Sequence, residues 1–123
     1  MTEHFVTIFN HLFLPQGIAL HRSMVRNVSD FCLWIICIDD TTHEILVKLN
    51  LKSVKPLLLS DLETADLLRV KSGRTISEYC WTLTPFAPRF VFETDQNVTR
   101  VTYIDVDLWF MKSPTPIFDE FED

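Results

Sequence analysis

Glycine is almost missing from this chain: Gly17 and Gly73 are the two in 123 residues. A sandwich or barrel built on many tight turns is therefore excluded. No Gly-x-Ser-x-Gly elbow occurs, so the serine-hydrolase reading fails. The glycine-rich dinucleotide fingerprint and the phosphate-binding P-loop are absent as well. Basic clustering is also lacking. The 11 Lys and Arg are scattered, whereas binding to a nucleic-acid backbone needs a basic stripe or patch; no nucleic-acid partner is expected. The longest apolar run, residues 31–38, is too short to span a bilayer, so no transmembrane segment is expected. Near the N-terminus, Glu3 and His4 stand where a signal peptide would carry a basic start and an apolar stretch. The three cysteines form no Cys-x-x-Cys pair; Cys32 and Cys37 read as buried small hydrophobes, and Cys80 has no evident histidine partner. Together these absences suggest a cytoplasmic protein without disulfides.

What is present is an apolar, acidic chain. Hydrophobic residues make up 47%, the net charge is −6 and the pI is about 5.1. The length suits a single domain over residues 1–123 that buries about two-thirds of its unfolded surface. Its acidity would repel a phosphate-rich ligand unless a cation intervenes.

Periodicity predicts an α/β fold. Residues 5–9 suit a short buried strand. Pro15 opens a helix to about residue 28, with Ile18, Val25 and Val28 as its apolar face and Arg22 and Arg26 toward solvent. Residues 31–38 are apolar at every position, as in a central strand covered on both sides. Asp39 or Asp40 caps a helix over residues 41–49. A third strand spans residues 54–59, and Pro56 assigns it to an edge. Ser60 and Glu63 have capping-box spacing for a helix to about residue 70. From Thr75 a longer helical region places Ile76, Tyr79, Cys80 and Leu83 on one face, interrupted at Pro85 and Pro88. Residues 98–104 form the fourth strand. The tail from Met111 to Asp123 carries two prolines, Phe118, Phe121 and four acids.

This order of elements predicts a doubly wound, mainly parallel sheet with strand order 3-2-1-4. Ligands of such sheets bind beyond the carboxyl ends of the strands where the winding reverses. Residues 10–17 and 105–110 are expected to meet there.

Asp105-Val106-Asp107 follows the fourth strand directly. Two carboxylates one residue apart can converge on one hard cation, Mn²⁺ or Mg²⁺. That ion would bridge to a diphosphate and remove the objection from acidity. The plain alternative is a pair of acids that end a strand and cap a turn. Asn10 can hydrogen-bond a nucleobase or ribose, or make an Asx turn ahead of Pro15. His11 lies beside it, as a loop histidine or a ligand. Lys71 and Arg74, ahead of a helix start, suit either a phosphate or a solvated basic loop. Asp39 and Asp40 are caps or nucleotide contacts, and Tyr79 and Trp81 are core, interface or ligand residues. His4, His21 and His43 lack metal-ligand spacing.

The run Val101-Thr-Tyr-Ile-Asp-Val-Asp-Leu-Trp-Phe110, with Ser113-Pro-Thr-Pro-Ile-Phe118, resembles the DxD region of GT-A nucleotide-sugar glycosyltransferases, above all the galactosyltransferase- and glycogenin-like group and bacterial glycosyltransferases. Thr7-Ile-Phe-Asn10 with Gly17-Ile-Ala-Leu-His-Arg-Ser-Met24 resembles their first strand and helix, and Glu78-Tyr-Cys-Trp-Thr-Leu-Thr-Pro85 the helix before the DxD strand. The resemblance implies a UDP-sugar donor with Mn²⁺ or Mg²⁺ and an unknown acceptor. It implies Asp105 on ribose and metal, Asp107 on metal, and the segment Thr7, Phe9, Asn10 lining the nucleoside pocket. Relatives of that kind carry Tyr-x-Arg where this chain has Tyr79-Cys80-Trp81, so Arg74 is the candidate for the diphosphate contact. They also continue beyond the DxD into an acceptor half with a third metal ligand, which makes this chain the expected N-terminal part of a longer enzyme. An open edge on the fourth strand then favours a homo-oligomer. Two other functions are alternatives: a silent nucleotide- or partner-binding remnant, and a DxD phosphatase of haloacid-dehalogenase type, whose first Asp is a nucleophile, although Trp109 stands where that pattern wants Thr or Val.

Overall fold

Every side chain from Phe31 to Cys37 is buried, and the rest of the molecule is arranged around that strand. The structure, a computed structural model, describes residues 1–121; the last two acids of the tail, Glu122 and Asp123, lie outside the described residues. Strand β1 (Glu3–Phe9) runs parallel to β2 (Phe31–Cys37), from Glu3 opposite Phe31 to Phe9 opposite Cys37. On the far side of β2 lies β3 (Val54–Leu58), and on the far side of β1 lies β4 (Val101–Tyr103). The sheet is parallel throughout, in the order β3-β2-β1-β4, as the sequence predicts. Pro56 sits in edge strand β3, where a missing N–H donor costs no central ladder bond.

Alternation along the strands divides the core into two layers. Val6 and Ile8 of β1 and Cys32, Trp34 and Ile36 of β2 face one side. Helices α3 (Ala65–Lys71), α4 (Ile76–Leu83) and α5 (Ala87–Thr94) cover that side with Leu67, Tyr79, Leu83, Phe90 and Val91. Phe5, Phe9, Leu33 and Ile35 face the other side, under α1 (Leu14–Asn27), α2 (Asp40–Leu49) and the short α6 (Thr115–Asp119). Pro85 and Pro88 break the fourth helical region as expected: a 3-10 turn over Thr84–Phe86 separates α4 from α5. No helix among the described residues is long and apolar enough to cross a membrane.

Four expectations need correction. The buried face of α1 runs through Gly17, Leu20 and Met24, while Val25 is 49% exposed; the i, i+3, i+7 stripe that starts at Gly17 lies closest to the sheet. Ser60 does not cap α3. It lies in a 3-10 turn, and Thr64 is the cap, its Oγ1 accepting the Leu67 N–H at 3.2 Å. Glu63 is drawn elsewhere, to Lys71 Nζ at 3.0 Å and the Tyr79 hydroxyl. The capping box forms instead at Thr75 and Glu78, ahead of α4. Ile76, expected on the buried face of α4, is exposed: it shares the stripe of Tyr79 and Leu83 but is the first residue of the helix, before the part of that stripe that is buried. Finally, β4 pairs over three residues rather than seven. The chain is still turning off α5 at Val98, whose N–H donates to Asp95 O.

Candidate functional site

The carboxyl ends of β1 and β4 open into one cleft. Beyond Phe9, Asn10 is extended and its Oδ1 accepts the Leu12 N–H at 3.0 Å, starting a 3-10 turn over His11–Phe13. The Asx-turn reading of Asn10 therefore holds, and its remaining groups still edge the cleft. The turn leads into α1 through Pro15. Gly17 then passes directly beneath the Phe9 ring; a Cβ there would lie 2.5 Å from Phe9 Cζ. Such an approach needs glycine for its lack of a side chain.

Asp39 ties the end of β2 to the same loop. One carboxylate oxygen caps α2 through the Thr42 N–H at 2.9 Å. The other meets His11 Nδ1 at 2.6 Å and the His11 N–H at 3.3 Å. Partial burial alone would raise this carboxyl, but the hydrogen bonds from Thr42 and His11 outweigh burial and hold it well below the usual range. Asp39 is thus a cap and a loop tie, and His11 is its partner.

On the β4 side, the Ile104 N–H still donates to Val6 O, and the chain then turns, with the Leu108 N–H donating to Asp105 O at 3.2 Å. Asp105 and Asp107 are both exposed on this turn. A clamp on α1 secures it: Ser23 Oγ accepts the Phe110 N–H at 2.9 Å, and Asn27 Nδ2 donates to Phe110 O at 2.7 Å. The Phe110 ring meets Phe5 edge-on at 5.7 Å. Nothing local in the sequence signals this clamp, because its partners are far apart along the chain.

The cleft has a volume of about 430 Å³. Leu12 and Phe13 of the β1–α1 loop line it, as do Ser77, Cys80 and Trp81 of α4 and Asp105 at the end of β4. The loop leads to the helices on one face of the sheet, and α4 belongs to the other, so the cleft straddles the sheet end. Ile8, Ile38 and Tyr103 also line it. Burial pushes the Tyr103 phenol up; Thr84 pulls it back, and the neighbouring Asp105 carboxylate adds to the rise. Tyr103 precedes Asp105 by two residues, so strand alternation was a signal for this neighbour. Among the described residues, the cleft lining holds one acid, Asp105, and no cationic side chain.

Other candidates fall outside the cleft. Thr7 is fully buried and does not reach it, because its side chain points into the α1 layer of the sheet. Its Oγ1 has no hydrogen-bond partner among the described residues. Thr7→Val is expected to raise stability by about 1 kcal/mol by removing that unsatisfied hydroxyl. A higher urea midpoint with ligand binding unchanged would confirm this; a lower midpoint would contradict it. The Phe9 ring is buried against Gly17, and the residue still contributes to the cleft lining. Arg74 is not in the lining; its guanidinium donates to Thr82 Oγ1. Lys71 pairs with Glu63 and lies over the Tyr79 ring at 5.2 Å. Both cations are exposed and lie outside the cleft lining, and Thr75 and Glu78 cap the start of α4 beside them. His4 Nδ1 accepts the Trp34 Nε1–H at the opposite end of the sheet, and buried His21 contacts Lys52 O through Nε2 at 2.8 Å. Cys32 and Cys37 are buried, and burial pushes the Cys37 thiol up to about 12, with Asp39 adding to the rise.

No family model matches the chain. It is similar to two proteins of Bacillus subtilis (strain 168). To "Uncharacterized protein YfnF" it is 37% identical over 123 residues, covering 100% of this chain and 41% of that protein. To "Uncharacterized protein YfnD" it is 32% identical over 119 residues, covering 97% of this chain and 38% of that protein. The chain thus spans about two-fifths of the length of these relatives.

Proposed function

We propose that this chain is the donor-binding half of a metal-dependent GT-A glycosyltransferase that takes a nucleotide-diphosphate sugar, with a UDP-sugar as the donor. The observation that carries the reading is the pairing of the DxD turn with the β1–α1 loop around one cleft at the winding reversal of a parallel sheet. The charge pattern supports it. No cationic side chain among the described residues lines the cleft; Asp105 lines it, and Asp107, outside the lining, is exposed two residues further along the same turn.

The residues present fit a hard divalent cation. Mg²⁺ commonly takes one or two carboxylates from protein and fills its other positions with water and phosphate oxygens. Two acids on a clamped turn suit that demand, and no group of three or more His, Cys, Asp or Glu that could hold a metal occurs among the described residues. Asp105 and Asp107 would hold Mn²⁺ or Mg²⁺, which when bound would supply charge neutralisation for a diphosphate. The chain's own residues do the rest of the binding. The Ser23–Asn27 clamp holds the DxD turn in place, Asp39 holds the Asn10 loop through His11, and Ile8 and Ile38 keep the inner cleft apolar. The acceptor site and the transfer itself belong to residues outside this set. An unpaired outer side on β4 suits association through that edge, either with a second copy or with further chain.

Calorimetric titration tests the reading. UDP is expected to bind in the presence of Mn²⁺ and to lose most of its affinity when the ion is removed with a chelator. Equal binding with and without Mn²⁺, or no binding in either case, would overturn it.

A further inference from the structure

We infer that Trp81 is the stacking platform for the planar base of the nucleotide. This inference rests on the proposed function and extends it to a residue in which this chain departs from the Tyr-x-Arg pattern. Trp81 is 72% exposed, although tryptophan is usually largely buried. The core does not require it there, because Tyr79 and Leu83 provide the buried ridge of α4. Its indole instead lines the cleft, with Ser77 one helical turn before it. From the opposite face of the sheet, the β1–α1 loop contributes Leu12 and Phe13, which are 68% and 46% exposed. The site is therefore lined by apolar side chains from both sides of the sheet end, with the polar groups of Asn10 and Ser77 and the charge of Asp105 in the same lining.

That pattern selects among the parts of a nucleotide-sugar. A phosphate is disfavoured between these walls, since no cationic side chain lines them. A sugar ring offers an indole only a puckered C–H face, whereas a base offers two flat π faces, one to each wall. A nucleobase is neutral, has two apolar faces and keeps its hydrogen-bonding groups on its edge, which matches a lining that combines apolar side chains with Asn10 and Ser77. Exposed aromatic side chains bind bases by this stacking without strong preference for one base over another.

The test uses the whole chain with Mn²⁺ and two probes: UDP, and inorganic pyrophosphate, which lacks the base. Trp81 is exposed, so Trp81→Leu and Trp81→Phe should both fold, and thermal unfolding checks that they do. Trp81→Leu is expected to weaken UDP binding by about tenfold to a hundredfold and leave pyrophosphate binding unchanged. Trp81→Phe, which keeps a π face, should recover much of the loss. Unchanged UDP affinity in Trp81→Leu, or an equal loss for both probes, overturns the stacking role while leaving the nucleotide reading intact. Wild-type protein that binds pyrophosphate as tightly as UDP overturns the stacking role in the same way. Wild-type protein that binds neither probe overturns the proposed function and this inference together.

Discussion

Asp107→Ala should abolish the Mn²⁺-dependent part of UDP binding and leave the fold unchanged. Asp107 is exposed on the turn after β4 and has no hydrogen-bond or ion-pair partner among the described residues, so its loss should shift stability by no more than about 0.5 kcal/mol. Binding is another matter. Removing one of two oxygen ligands leaves Asp105 to hold the ion, and Asp105 already lies beside the Tyr103 phenol. Replacing partners one shell further out typically costs about 10- to 100-fold in metal affinity, and loss of a direct ligand should exceed the upper end of that range. Asp107→Asn keeps the shape and one oxygen but not the charge, so it should fall between the two. Calorimetry with UDP and Mn²⁺ reads the effect, and thermal unfolding confirms the fold. UDP affinity equal to wild type in Asp107→Ala would remove the metal role from this turn.

Gly17→Val should be the most damaging single change near the cleft outside the DxD. An added Cβ alone would sit 2.5 Å from Phe9 Cζ and 2.9 Å from Cε2. Phe9 is 3% exposed and belongs to the cluster that holds Phe5, Leu20 and Ile35, so moving its ring disturbs the core under α1. Overpacking of this kind costs about 1–3 kcal/mol or more, a large part of the 5–15 kcal/mol that holds a typical domain together. The displaced ring should also pull on Asn10, the next residue, and loosen the loop that walls the cleft. A fall in the urea midpoint together with weaker UDP binding is expected. Gly17→Ala should be milder, because its smaller clash is partly offset by alanine's better helix propensity, worth about 1 kcal/mol. A Gly17→Val protein as stable as wild type would mean that the close approach of α1 to β1 is not as described.

How much of this could be read from the sequence depended on whether the determining partners were local. The sheet order was legible because β2 is apolar at every position and right-handed crossovers leave few alternatives. Pro56 marked the edge strand, and the Asp105–Asp107 pair stood out because acids follow an apolar strand at the predicted reversal. The face of α1 was misread because two of its buried residues are polar. Ser23 is buried to hold Phe110, and His21 to reach the Lys52 carbonyl, and both partners lie in distant parts of the chain. Glu63 resembled a cap because cap spacing is local, whereas its actual partners are Lys71 and Tyr79. Thr7 was placed in the site by resemblance, and strand alternation turns it into the core instead. Trp81 was visible as an aromatic residue, but its exposure was not, since that depends on which ridge of α4 meets the sheet.

The central claim is that the DxD turn holds a cation that in turn holds a diphosphate beside the β1–α1 loop. A crystal grown with UDP and Mn²⁺, examined by anomalous scattering at the manganese edge, tests it most directly. The account predicts a manganese peak within about 2.3 Å of oxygens from both Asp105 and Asp107, pyrophosphate oxygens on the same ion, and the base against Trp81. A nucleotide bound elsewhere, or a manganese peak distant from these two carboxylates, would contradict it.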